Sequence, residues 1–155
     1  MSFAIRIFEE PVGSGPSLTG GNELRGEIEI GDFKEAVVIP ISYWSKLDYI
    51  SHWQRAVKIL LDGDESARTA LITEMYDPEN ALYINCWPIY REGEIVYVHN
   101  RLLFTKDLPE SFDLEEIGKY MDDREATDED GNRISEWRTT AAELTRWLGD
   151  LNEQR

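Results

Sequence analysis

Apolar and polar positions alternate along much of this chain, and each change of period marks a change of expected element. Residues 3–8, Phe-Ala-Ile-Arg-Ile-Phe, are rich in β-formers and predict a first strand. Residues 23–30 alternate strictly, with Leu24, Gly26, Ile28 and Ile30 on one side and charged residues largely on the other. Gly31-Asp32 offers a turn, and residues 35–41 then complete a hairpin. Pro40 has no N–H to give a ladder, so it belongs at an edge or a strand end. Residues 9–22, with four glycines and two prolines, read as a flexible loop.

From Ser45 the period becomes helical. Leu47, Ile50, Val57 and Leu61 recur at helix spacing to residue 61, and Tyr49, Trp53, Ala56 and Leu60 widen the stripe. Ser45 is placed to cap the N-terminus, and Gly63 follows the last turn. A stripe this broad predicts packing across a sheet. Period two then returns in residues 68–76, 81–90 and 95–104, joined by Asp77-Pro78-Glu79-Asn80 and Arg91-Glu92-Gly93-Glu94, as an antiparallel meander. In the third strand Val96, Val98, Leu102 and Phe104 are expected inside, with Tyr97, His99 and Arg101 outside.

A short helix is expected over residues 113–121, where Asp113 and Glu116 have capping-box spacing and Leu114, Ile117 and Met121 form its apolar stripe. A last strand follows over 133–138. The final helix spans 141–151, opened by Thr140 and Glu143 and carrying Leu144, Trp147, Leu148 and Leu151 at core spacing. With no repeat and no linker, the chain predicts a single α+β domain over residues 1–155. Its expected architecture is a mostly antiparallel sheet of five to six strands with about three helices.

Composition narrows the function. The formal charge of −15 sets this chain against nucleic acid and anionic membrane, whose phosphates require Lys and Arg, and towards a basic partner. The opening ten residues hold no export-signal pattern and no apolar run is long enough to span a bilayer, so a cytoplasmic protein is expected. The single cysteine, Cys86, fits a reducing compartment and, among apolar neighbours, a buried and inert thiol. His52 is expected on the helix surface or rim and His99 at an outward strand position. Two histidines on separate elements offer no metal site. No cofactor fingerprint occurs: there is no Gly-x-Ser-x-Gly, P-loop or dinucleotide motif.

Charge is concentrated in one place. Residues 107–136 hold 12 acids against Lys119, Arg124 and Arg133, a net of −9, which is more than half of the total in about a fifth of the chain. Between Met121 and Ile134 the only apolar residue is Ala126. Asp128-Glu129-Asp130-Gly131-Asn132 does not satisfy an EF-hand loop, since Arg133 stands where the sixth-position glycine is needed and Thr139 where the bidentate Glu is needed. Paired carboxylates leave a hydrolase as an alternative, and the many aromatics leave a single-strand nucleic-acid module as another, though the latter needs a basic groove. The segment is expected instead to meet a basic protein through Asp122, Asp123, Glu125, Asp128, Glu129, Asp130 and Glu136, with Trp137 as an aromatic anchor. Asp62-Gly63-Asp64-Glu65 is a second candidate surface.

Four stretches, in this order and spacing, carry a resemblance. They are Ser42-Tyr43-Trp44 with Asp48-Tyr49 and Trp53; Met75-Tyr76-Asp77-Pro78-Glu79; Val96-Tyr97-Val98-His99-Asn100; and Asp130-Gly131-Asn132-Arg133-Ile134-Ser135-Glu136-Trp137. Over residues 27–148 the chain resembles the immunity proteins of contact-dependent growth inhibition, the CdiI proteins, and within them the group paired with toxins that cleave 16S ribosomal RNA. The resemblance implies a cytoplasmic, non-catalytic inhibitor without cofactors. It would bind one-to-one to the basic nuclease domain at the C-terminus of a CdiA protein and block access to its RNA. It also implies a compact sheet-and-helix fold like that of single-strand-binding Whirly domains. The Gly/Pro-rich N-terminal loop lies outside the shared words.

Overall fold

The computed structural model describes residues 2–11, 23–109 and 112–153. Eight strands form two antiparallel sheets. The first contains β1 (Phe3–Pro11), β2 (Glu23–Ile30) and β3 (Phe33–Pro40) in that spatial order. β1 continues through Pro11, so the start of the expected loop is strand; the rest of that loop, residues 12–22, lies outside the described residues. Gly31, with φ of 61°, makes the β2–β3 turn, and Pro40 ends an edge strand as its missing N–H requires. Gly26 sits where three strands crowd together: a Cβ there would lie 2.5 Å from Ile39 Cδ1 and 2.8 Å from the Arg6 carbonyl oxygen.

The second sheet contains β4 (Arg68–Glu74), β5 (Tyr83–Glu92), β6 (Ile95–Val98), β7 (Arg101–Phe104) and β8 (Trp137–Thr140). Its order is β4-β5-β6-β8, with β7 continuing the line of β6 along β5. The expected third strand is thus split at His99-Asn100, although its register against β5 runs through unbroken. Pro88 lies opposite the break: its carbonyl accepts from His99 N at 2.9 Å, but it has no N–H to return. The class is the α+β fold expected, and the strands divide between two sheets where one was anticipated.

Helix α1 (Lys46–Asp62) starts with a full capping box between Ser45 and Asp48. It lies along the free edge of β4 and completes that edge with side chains. Trp53 Nε1 donates to the Ile72 carbonyl at 2.8 Å, His52 Nε2 accepts from the Ile72 N–H at 3.0 Å, and Tyr49 Oη accepts from the Met75 N–H at 3.0 Å. His52 is therefore a buried residue, 8% exposed, and not the surface residue expected. Leu47 is the reverse, 66% exposed, because the first turn of α1 runs past the sheet edge beside an open groove. Helix α2 (Ala141–Glu153) is opened by Thr140 Oγ1 accepting from Glu143 N. It packs on β1, where Trp147 meets Phe3 edge-on and donates to the Ile5 carbonyl.

The two sheets meet through aromatic rings: Phe33 stacks on Trp137 at 4.2 Å between centroids, and Trp137 lies 5.6 Å from Trp87. Leu71, Trp87, Ile89, Val96 and Val98 are all essentially buried in this core. Leu102 and Phe104 share that face of their strand but lie beyond its cover, so they are exposed; Leu103 and His99, on the other face, are buried. The expected inside and outside are thus exchanged over this stretch. The segment expected to be a helix is a 3₁₀ segment, Leu114–Tyr120, with Glu116 outside helical geometry. Asp113 Oδ1 accepts from Glu115 N, in place of the expected box with Glu116. β8 begins at Trp137, later than the residue 133 expected. Among the described residues no helix is long and apolar enough to cross a membrane.

Candidate partner-binding site

The acidic segment leaves the 3₁₀ turn and crosses the second sheet on the face away from the aromatic core. Three arginines tie it down. Arg68 bonds the Gly118 carbonyl through Nε and Asp123 through Nη1. Arg101 bonds Asp122 at 2.8 Å, while Tyr90 Oη donates to the Asp122 carbonyl at 3.1 Å. Arg124 makes a two-pronged pair with Glu136, at 2.7 and 2.8 Å, and its guanidinium lies 3.5 Å above the centre of the Tyr97 ring. Glu92 also reaches Arg124.

Glu136 is the hub. Besides Arg124 it bonds His99 Nε2 at 2.8 Å, and His99, itself buried, rests against the Tyr90 ring at 5.0 Å. The Arg124 hydrogen bonds hold the Glu136 carboxyl below the usual carboxylate range; partial burial opposes them and the His99 contact adds to them. The base of the segment is a satisfied, partly desolvated charge network.

Above this base the chain closes a small loop. Thr127 bridges to Arg133, and Ile134 N donates to the Ala126 carbonyl at 3.0 Å. Asp128 Oδ1 accepts from Asp130 N and Asn132 N at 3.0 and 2.8 Å, and Gly131 takes the positive φ of 82° that this reversal needs. Glu125, Glu129 and Asp130 stand in solvent, and no described cation pairs with them or with Asp128.

The eight residues singled out in the sequence therefore separate into three groups. Asp122 and Asp123 are bound to Arg101 and Arg68 of the second sheet, and Glu136 to Arg124 within the segment itself. Glu125, Asp128, Glu129 and Asp130 form the charged tip. Trp137 is half-buried between Phe33 and Trp87, joining the sheets. Sequence reasoning missed Arg68, Arg101, Arg124 and Tyr97 as the scaffold. The available signal was the run Tyr97, His99, Arg101 on one strand face, polar at its ends where an acidic segment had to find cover.

Cys86 is buried, and burial pushes its thiol pKa up to about 12. In the second candidate surface Asp64 is exposed and accepts hydrogen bonds from Ser66 two residues on. Ser66 hydroxyl and backbone donors hold its carboxyl low. Among the described residues no three His, Cys, Asp or Glu side chains group to hold a metal ion.

Fold and site together define an acidic α+β domain of two antiparallel sheets. The chain belongs to the CdiI family: the CdiI N-terminal domain matches residues 39–147. It is 34% identical over 151 residues to the immunity protein CdiI of Enterobacter cloacae subsp. cloacae, covering 97% of this chain and 99% of that one. Its structure is similar to a chain of the CdiA-CT/CdiI toxin and immunity complex from Enterobacter cloacae, with a TM-score of 0.84. Identity there is 33%, with 97% of this chain and 99% of that chain covered.

Proposed function

We propose that this chain neutralises the toxic C-terminal domain of a CdiA protein by binding it one-to-one in the cytoplasm, without catalysis. The toxin is a basic nuclease, of the kind that cleaves 16S ribosomal RNA. A nuclease must carry positive charge to hold phosphate, and an acidic surface can occupy that site in the RNA's place. The observation that supports this best is the division of the acidic segment. Its base is neutralised internally, while Glu125, Asp128, Glu129 and Asp130 keep their charge and face outward. Asp122, Asp123, Glu136 and Trp137 then act by fixing the tip in place.

Such a fixed, predominantly acidic tip, with Arg133 set against four carboxylates, raises the encounter rate with a basic partner by roughly 10–10³-fold. Reversing Asp128 and Asp130 to Lys should slow association with the toxin domain encoded beside this chain. It should also flatten the salt dependence and restore toxicity on co-expression. Unchanged affinity and salt dependence would remove the tip from the interface.

A further inference from the structure

Among the described residues a cluster of exposed apolar side chains lies elsewhere, at the uncovered end of the second sheet's core face. Tyr83 pairs with Phe104, and Leu102 with Asn85, on the face that Trp87 and Val98 occupy further along. Leu82, 81% exposed, precedes Tyr83, and Leu102 and Phe104 are 41% and 48% exposed. Beside them a hollow of about 350 Å³ is lined by Tyr76, Asp77, Asn80, Ala81, Leu82 and Tyr83. Scattered apolar residues are ordinary on a surface; Tyr83, Leu102 and Phe104 grouped on one sheet face, with Leu82 in the bend that leads into it, mark an interaction site.

The backbone under this cluster is fixed. Thr105 donates through its hydroxyl to the Ala81 carbonyl at 2.6 Å and through its N–H to the Leu82 carbonyl at 3.1 Å. Tyr76 and Tyr83 meet edge-on, 6.1 Å between centroids. The surrounding charge is negative. Glu74 takes hydrogen bonds only from neutral donors, Tyr76 Oη and Asn85 Nδ2, and Asp77 only from the N–H of Glu79 and the amide of Asn80. Neither carboxylate has a described cation beside it, in contrast to Asp122, Asp123 and Glu136. Lys106 follows the cluster in sequence and is offset by Asp107.

We infer that this face is the apolar anchor site for the same toxin domain, and that the hollow receives one of its Arg or Lys side chains. This rests on the toxin-binding function proposed above. Two tyrosine rings suit the stem and the cation, and Glu74 and Asp77 supply the counter-charge that no described cation takes up. Leu82, Leu102 and Phe104 then meet apolar residues next to that cation, so the site combines the desolvated centre and charged rim of a tight interface. The acidic tip accelerates encounter, and this face slows release.

Surface plasmon resonance of the intact chain against its toxin domain, over a salt series, tests the inference. Phe104→Arg and Leu82→Arg should each weaken binding about tenfold or more, through faster dissociation, with circular dichroism and melting temperature unchanged. Glu74→Gln keeps the hydrogen-bonding shape and should weaken binding while flattening its salt dependence. Affinities within about twofold of the unaltered chain for all three variants overturn the inference and leave toxin binding itself intact. So does a wild-type dimer, seen by sedimentation, that Phe104→Arg dissolves without changing toxin affinity. Failure of the unaltered chain to bind the toxin domain would instead remove the proposed function on which the inference stands.

Discussion

His52 offers a prediction with a defined sign and window. Its ring is buried in α1, Nε2 accepts the Ile72 N–H, and desolvation pushes its pKa down to about 4 from the ordinary value of 6.5. In the unfolded chain it titrates near 6.5, so between these values the unfolded state binds the extra proton. Stability must therefore rise with pH across that interval. One such group changes stability by about 2 kcal/mol between about pH 7.5 and pH 5. Carboxylates held low in the fold, such as Glu136, act in a lower window. Their contribution is present above their unfolded pKa and is lost as pH falls through the folded one, so they leave this interval largely to His52.

Urea denaturation at the two pH values measures the effect. His52→Gln keeps an oxygen acceptor for the Ile72 N–H but does not titrate, so it should lose less stability on acidification than the unaltered chain, by about 2 kcal/mol. His52→Leu leaves that N–H without a partner and should be less stable than His52→Gln by about 1–3 kcal/mol at both pH values. Comparing variants removes the background from the net charge, whose self-repulsion eases on acidification. Equal pH slopes for the unaltered chain and His52→Gln would refute the argument.

Glu136→Gln removes the charge that binds Arg124 and His99, and should lower stability by about 1–2 kcal/mol and the melting temperature by roughly 3–6 °C. An unchanged melting curve would show that the hub does not brace the acidic segment. Cys86, with its thiol buried and its pKa near 12, should resist maleimide at about pH 8 until the chain is unfolded. Rapid labelling of the native protein would contradict that.

Local patterns were legible where one residue's neighbours in sequence are also its neighbours in space. Ser45 capped α1, the 23–30 alternation gave the buried face of β2, and Thr140 opened α2. His52 was misplaced because polarity was read ahead of position: it stands three residues after Tyr49 and one before Trp53, inside the buried stripe. Leu102 and Phe104 were assigned to the proper face, but where the opposing sheet ends is a tertiary fact that no periodicity carries. The acidic segment was legible as charge and not as architecture. Its partners Arg68 and Arg101 come from distant points of the chain, and only the fold brings them beneath it, where Arg124 of the segment itself closes on Glu136.

The closed loop from Ala126 to Ile134 has a consequence for inheritance. Its ends are joined to each other, and the arginine pairs that hold it lie on either side of it, so the tip contributes little to whether the domain folds. Residues there can be exchanged during divergence without passing through a misfolded ancestor, while Arg124 and Glu136 have to be kept or replaced as a pair. On the function proposed above, a toxin that alters its surface can be followed by its inhibitor one tip residue at a time.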